Sequence, residues 1–131
     1  MTLDVNKELK IYWILGLIVA LIYGFWLFIS PESYHAVTGG GPYFSPVSAR
    51  ILGGIYIAWA VIIIKLYKEI ENWEKIENWM LFAVIEESLS AIAQILGIII
   101  YNMSITTYII GIIINIFFAI VGIHIILQKK K

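Results

Sequence analysis

Long apolar runs separated by short polar segments make up almost the whole 131-residue chain. A helix needs roughly 20 predominantly apolar residues to cross the hydrocarbon core of a bilayer, which is about 30 Å thick. The runs lack the polar–apolar alternation of barrel strands and are too long for them, so helices are the predicted spanning elements. The sequence therefore predicts an all-α protein, a single integral membrane four-helix bundle over residues 1–131. Four runs meet the required length: Ile11–Ile29, Val47–Ile64, Trp79–Tyr101 and Ile105–Leu127.

The composition agrees with this class. Hydrophobic residues make up 61% of the chain and charged residues 14%, with a mean hydropathy of +0.90, unlike a soluble domain of this size. The first run is longer than the roughly 7–15 residues of a signal-peptide core, so we expect it to be a retained span. Since cysteine is absent, disulfides, thiolate metal sites and cysteine-based catalysis are excluded. The balanced charge argues against a nucleic-acid partner and leaves the lipid bilayer as the expected surroundings.

The distribution of lysine predicts the orientation in the membrane. Cytoplasmic connections carry an excess of Lys and Arg. All eight lysines lie before the first span, between the second and third, or after the fourth, whereas Arg50, the sole arginine, lies just inside the second span near the other side. We therefore expect both termini in the cytoplasm and a multi-pass protein of the cell membrane. The lysines are Lys7, Lys10, Lys65, Lys68, Lys75, Lys129, Lys130 and Lys131.

The three connections differ in character. The segment between the first two spans contains three prolines and three consecutive glycines, which predict an irregular outer loop. The cytoplasmic segment 65–79 contains IENW twice, and Ile70, Trp73 and Ile76 recur at roughly helical spacing. This pattern is typical of a helical extension resting on the lipid headgroups. The short connection after Tyr101 predicts that the last two spans are antiparallel neighbours.

Each span also carries small residues at helical spacing, through which membrane helices pack closely. These residues predict a tightly packed bundle whose opposite faces, rich in Ile, Leu and Phe, contact lipid. The small or polar positions are Gly16, Ala20 and Gly24; Ala49, Gly53, Gly54 and Ala58; Ala83, Ser90, Ala93 and Gly97; and Gly111, Asn115, Ala119 and Gly122.

Two adjacent acidic residues interrupt the third span. Glu86 and Glu87 share one side of the predicted helix with Ser90 and Gln94. Because small residues lie on the same side, we expect the acids to point into the bundle. Counted at 1.5 Å per residue, Glu86 lies about 6 Å to the cytoplasmic side of the midplane. Asn115 of the fourth span falls near the midplane, close enough to be a partner.

A charged residue at mid-span costs roughly 2.5–3.5 kcal/mol on insertion scales, so buried acids are candidates for function. Two adjacent ionised carboxylates repel, and at least one is expected to be protonated or paired. One interpretation is a ligand or ion site that also includes Arg50, Ser90, Gln94 and Asn115. The other is an internal hydrogen-bond network that fixes helix register, with Arg50 as counter-charge. Since adjacent residues diverge by about 100° around a helix, the acids cannot clamp one ion symmetrically, and one alone could face the central cavity.

The remaining titratable residues give little indication of catalysis or metal binding. His124 lies near the end of the fourth span, where a histidine caps the last helical turn beside the lysine tail. No Glu-x-x-His motif accompanies it to form a metal site, and His35 is interpreted as a surface residue. No Ser, His and Asp can be argued to converge. We assign no catalytic and no metal-ligating residue, and the cofactor stays open.

A family resemblance is carried by the stretch FISPESYHAVTGGGPYFSPVSARILGGIYIAWAVIII. It resembles the small four-helix membrane proteins grouped as DUF4345, within the broader DoxX-like set. In that group the first helix ends near a proline, an irregular outer loop follows, and an arginine opens a Gly-rich second helix; here these residues are Pro31, Arg50, Gly53 and Gly54. The resemblance covers about half of the chain and implies a four-helix bundle without an established activity. Some DoxX-like proteins are associated with quinone-linked oxidoreductases, which permits a quinone ligand or an accessory role.

Three functional hypotheses follow. The first is a site within the bundle that binds or translocates protons, a cation or a small amphipathic molecule such as a quinone. The second is an accessory or scaffold subunit of a larger membrane complex, in which the acids pair with a partner helix or with another copy of the chain. The third, an intramembrane lipid-modifying enzyme, has the least support, because paired carboxylates suit acid–base work but no nucleophile or cofactor motif accompanies them.

Overall fold

The computed structural model describes residues 4–38, 44–102 and 105–130, and over these residues every regular element is an α-helix. Among the described residues, four helices are long and apolar enough to cross a membrane. This confirms the predicted all-α class and is consistent with the four predicted spans. A fifth, short helix was not predicted. The helices are α1 Val5–Ile29, α2 Pro31–Thr38, α3 Pro46–Lys68, α4 Trp73–Tyr101 and α5 Ile105–Lys129.

The long helices extend beyond their apolar runs because polar residues cap their ends. The Asp4 side chain accepts a hydrogen bond from the backbone N–H of Asn6 at 3.1 Å and starts α1. Ser45 caps α3 in the same way, with Pro46 in the first turn, and Asn72 caps α4. Hydropathy alone therefore placed the starts of α1 and α4 several residues too late.

The helix α2 corrects the prediction of an irregular outer loop for residues 31–38. Pro31 begins this helix, where its missing N–H would have had no partner in any case. The ring of Tyr34 packs edge-on against the rings of Tyr23 and Trp26 of α1, with centroid distances of 6.1 Å and 5.3 Å. The three consecutive glycines and Pro42 of the predicted loop lie outside the described residues.

The segment 65–79 also differs from the prediction of one surface helix. The helix α3 ends at Lys68, a turn follows, and α4 begins at Trp73. Ile70 and Ile76, the isoleucines of the two IENW copies, are buried in the core. The repeat therefore closes one end of the bundle with apolar side chains instead of lying on a surface.

The long helices form two closely packed pairs, α1 with α3 and α4 with α5, and the pairs meet mainly through α1 and α5. This confirms that the last two spans are neighbours. The start of α1 and the end of α5 lie at the same end of the bundle, where Lys129 of α5 donates a hydrogen bond to Asn6. His124 of α5 lies 3.4 Å from the Glu8 carboxylate of α1, so it joins two helices. We call this the terminal end, and the opposite end, which carries α2, the α2 end.

Small residues set the spacing within each pair, as most of their stripes predicted, whereas Ala58 and Ala93 of those stripes are exposed. A Cβ atom added to Gly53 would lie 2.6 Å from the backbone nitrogen of Phe28 and 2.8 Å from the backbone oxygen of Gly24. In the other pair, a Cβ atom at Gly122 would collide with the side chain of Val84. The outward faces carry exposed Ile, Leu and Phe side chains, as a lipid-facing surface requires.

Asn102, which ends α4, gives a first prediction. It adopts the left-handed conformation, with φ 49° and ψ 40°. Asn and Gly tolerate this conformation, whereas a β-branched residue is strained there. We expect Asn102→Val to lower the free energy of unfolding by about 1–2 kcal/mol and Asn102→Gly to leave it nearly unchanged, as measured by unfolding in mixed detergent micelles. Equal effects of the two substitutions would contradict this account of the turn.

Candidate functional site

A cavity of about 520 Å³ lies between the two helix pairs and is lined from all five helices. Towards the terminal end it is bounded by Tyr12, Trp13, Ile63 and other side chains that belong to the packed core. Towards the α2 end its lining includes the exposed residues Ser45 and Ser48, so the cavity reaches the surface there. It is therefore a pocket that is closed at one end of the bundle and open at the other.

Both acidic residues of α4 line this pocket. Glu87 is the middle residue of α4, about 20 Å from either end of the helix at 1.5 Å per residue. The prediction that the acids point into the bundle is thus confirmed, and both reach the cavity. Their neighbours from the other pair include Tyr12 of α1 and Tyr56 of α3, which lie within electrostatic reach of both carboxylates.

The two carboxylates differ in their hydrogen bonding. The Ser90 hydroxyl donates to Oε1 of Glu86 at 3.1 Å, one helical turn along α4. Within the described part of the chain, Glu87 has no hydrogen-bond or ion-pair partner. Among the described residues, no hydrogen bond or ion pair therefore joins either acid to a second helix.

Two buried polar atoms in the cavity lining lack hydrogen-bond partners among the described residues: Nε1 of Trp13 and Oε1 of Gln94. The Trp13 residue is only 1% exposed. The amide of Gln94 lies against Gly111, where an added Cβ would come within 2.9 Å of Oε1. Because nearly all buried polar groups in proteins are hydrogen-bonded, unpaired ones beside a cavity mark positions where a bound molecule can supply the missing partner.

Of the six predicted site residues, four line the same cavity: Glu86, Glu87, Gln94 and Asn115. Ser90 reaches it only through its hydrogen bond to Glu86. Arg50 is not part of the lining, and its guanidinium pairs with the Glu32 carboxylate of α2 at 3.3 Å. The structure thus gives Arg50 a different carboxylate partner from the one that the sequence suggested.

The aromatic lining was not identified from the sequence. Ten of the lining residues are Tyr, Trp or Phe, including Tyr56 and Trp59 of α3 and Tyr12 and Tyr23 of α1. A signal was present, because Tyr12 lies one helical turn from Gly16 and shares the small-residue face of α1. Nearer the α2 end, burial and the neighbouring Tyr23 and Tyr108 raise the pKa of Tyr34, so its phenol is a neutral hydrogen-bond donor at neutral pH.

The fold and this interior pocket define a small multi-pass helical membrane protein with an acidic, aromatic-lined cavity. Among the described residues, no group of three or more His, Asp and Glu side chains is arranged to hold a metal ion. Comparison with protein-family models, with characterised proteins and with solved structures found no match to this chain. The resemblance to the DUF4345 and DoxX-like proteins therefore stays a prediction.

Proposed function

We propose that this protein binds a small amphipathic molecule in the cavity, with the polar end of that molecule at Glu86 and Glu87. The supporting observation is that both carboxylates line a single pocket of about 520 Å³ whose walls are otherwise largely aromatic and aliphatic. Small-molecule sites are typically apolar concavities of roughly 300–1,000 Å³ with a few convergent polar groups. The pocket has this size and this distribution of polar groups.

The alternative of a network that fixes helix register has less support. A network of that kind joins side chains of different helices, whereas the hydrogen bond between Ser90 and Glu86 lies within α4. Arg50 pairs with Glu32 and is not in the cavity lining. Burying a carboxylate in a membrane helix is costly, and these two form no hydrogen bond or ion pair with a neighbouring helix among the described residues. A bound ligand explains their position better than a structural network does.

Binding is favoured over open translocation by the packing of the terminal end. Leu9, Ile76, Met80 and Ile125 are fully buried there, and they close the bundle below the pocket. Continuous passage of protons or of a cation would require a second opening through this core. We therefore propose a binding pocket that does not continue through the terminal end.

The accessory-subunit hypothesis requires the acids to pair with a helix of another protein or of a second copy of the chain. The positions of Glu86 and Glu87 on the cavity wall favour a bound small molecule instead. With the lysine-rich terminal end in the cytoplasm, as the positive-inside rule suggests, the pocket would open to the opposite side of the cell membrane. We also propose that the chain belongs to the DoxX-like set, and a ligand-binding pocket is compatible with that membership.

The proposal is tested by native mass spectrometry of the gently solubilised protein and of a variant in which the pocket is filled. Gly16 lines the cavity, and a Cβ added there would meet only Ile63 and Phe118 at ordinary contact distances of 3.7 Å and 3.8 Å. We expect the wild-type protein to carry a small bound molecule and Gly16→Leu to lose it. Leucine also favours a helix interior over glycine, so the variant should keep its fold.

Gly54→Leu is the matched control, because Gly54 does not line the cavity and an added Cβ would meet only the ring of Phe28, at 3.9 Å. This variant should retain the bound molecule. Retention of the same mass by Gly16→Leu would place the ligand outside the cavity and overturn the proposal. A wild-type chain that carries only a partner protein would support the accessory-subunit hypothesis instead.

A further inference from the structure

Two glutamate carboxyl groups are acidic groups in the deep part of the pocket. Glu86 and Glu87 line it, and no Lys or Arg is among the described residues of the lining. His35, nearer the α2 end, stacks on the ring of Phe44 with the ring centroids 4.1 Å apart. A ligand that enters the deep part therefore meets acidic groups without a basic side chain in the described lining to compensate them.

The unpaired polar atoms indicate which hydrogen-bonding groups a ligand would carry. Gln94 and Glu87 both line the cavity from α4. The buried Oε1 of Gln94 and the carboxylate of Glu87 are hydrogen-bond acceptors without partners among the described residues. The indole N–H of Trp13 is an unpaired donor at the deep end. A complementary ligand thus carries a positively charged or hydrogen-donating group towards α4.

The aromatic walls suit a positive charge as well. Tyr12 and Tyr56 lie within electrostatic reach of both acids, and Trp59 also lines the pocket. The face of an aromatic ring attracts a cation, and organic ammonium groups are commonly recognised by such rings. Carboxylates and aromatic rings on opposite helix pairs together favour a cation with an apolar surface over a small, strongly hydrated inorganic ion.

We propose that the ligand is a cationic amphiphile whose ammonium-type group lies between the two glutamates of α4 and the aromatic side chains of α1 and α3. This inference rests on the proposed function and names the chemical class of the molecule that the pocket binds. An anion is disfavoured by the two carboxylates. A neutral quinone would leave them without a charged partner.

The inference is tested with three benzoate esters of matched shape. Benzoylcholine carries a quaternary ammonium group, 3,3-dimethylbutyl benzoate is its neutral isostere, and 2-sulfoethyl benzoate is an anion. Binding to the full chain in dodecyl maltoside micelles, which contain no ammonium group, is measured by calorimetry and by tryptophan fluorescence, with empty micelles as the blank. We expect benzoylcholine to bind at least about tenfold more tightly than the neutral ester, and the sulfonate to bind more weakly than either.

Two double variants show which acidic residues cause the preference for the cation over the neutral ester. Glu86→Gln/Glu87→Gln should lose most of the preference for the cation and keep only the part that the aromatic rings supply. Its unchanged affinity for the neutral ester would show that the pocket is still folded. Glu71→Gln/Glu74→Gln removes two exposed acids at the terminal end, outside the pocket lining, and should keep the full preference for the cation.

Equal binding of the cation and the neutral ester by the wild-type protein would overturn the cationic class and leave the proposed pocket standing. A preference of undiminished size in Glu86→Gln/Glu87→Gln would also overturn it, because the two glutamates would then not contribute to recognition of the cation. If none of the three esters binds, the cationic class fails. If, in addition, native mass spectrometry finds no small molecule, the proposed function fails with it.

Discussion

Gly53→Ala is expected to lower the free energy of unfolding by about 3 kcal/mol, at the upper end of the usual cost of overpacking. The added methyl group would lie 2.6 Å from the backbone nitrogen of Phe28 and 2.8 Å from the backbone oxygen of Gly24. No rotamer change can relieve a collision with backbone atoms, so α1 and α3 must move apart. The closest contact of this helix pair would then be lost.

The measurement is reversible unfolding in mixed micelles of a mild detergent and dodecyl sulfate, followed by circular dichroism. Gly54→Ala is the matched control, because its added Cβ would meet only the Phe28 ring at 3.9 Å. That variant should be as stable as the wild type or slightly more so, since alanine favours a helix over glycine. Similar losses for the two variants would show that α1 and α3 do not depend on close backbone contact at Gly53.

Gly122→Ala should produce the second large loss of stability, about 1–3 kcal/mol, but this loss should be rescued by a second substitution. Its added methyl group would collide with the side chain of Val84 and would lie 3.3 Å from the terminal methyl carbon of Met80. The obstacle is a side chain and not the backbone. Removing the Val84 methyl groups in Gly122→Ala/Val84→Ala therefore makes room.

A double-mutant cycle on the same unfolding assay measures this coupling. We expect the double variant to be less destabilised than the sum of the two single variants, because neighbouring residues that share one space are not additive. Additive losses would place the cost of Gly122→Ala elsewhere than in the contact between α4 and α5. The pairing of these two helices would then need another explanation.

Much of the fold could be predicted from the sequence because the hydropathy of a run and the length of a membrane span are local properties. The same reasoning failed for α2 and for the turn before α4. Pro31 is compatible with a loop and with the first turn of a helix, and what holds α2 in place includes contact of Tyr34 with two rings of α1. The buried positions of Ile70 and Ile76 depend on helices that are distant in the sequence.

The candidate site was partly predictable for a similar reason. Helical periodicity places Glu86, Glu87 and Gln94 on one side of their own helix, and that side does face the interior. It cannot tell which residue of another helix lies opposite. The pairing of Arg50 with Glu32 of α2 therefore had to come from the tertiary structure.

By itself, the sequence determined that this is a helical membrane protein with four spans, that most of its small-residue stripes face the interior and that two acids share that interior. The tertiary structure alone decided that an aromatic-lined cavity surrounds those acids. The physical reason is that periodicity sets the direction of a side chain around its own helix, whereas the distance between helices depends on which side chains meet. Gly24 and Gly53 bring α1 and α3 into backbone contact, while space is left between that pair and α4 with α5, where Glu86 and Glu87 lie.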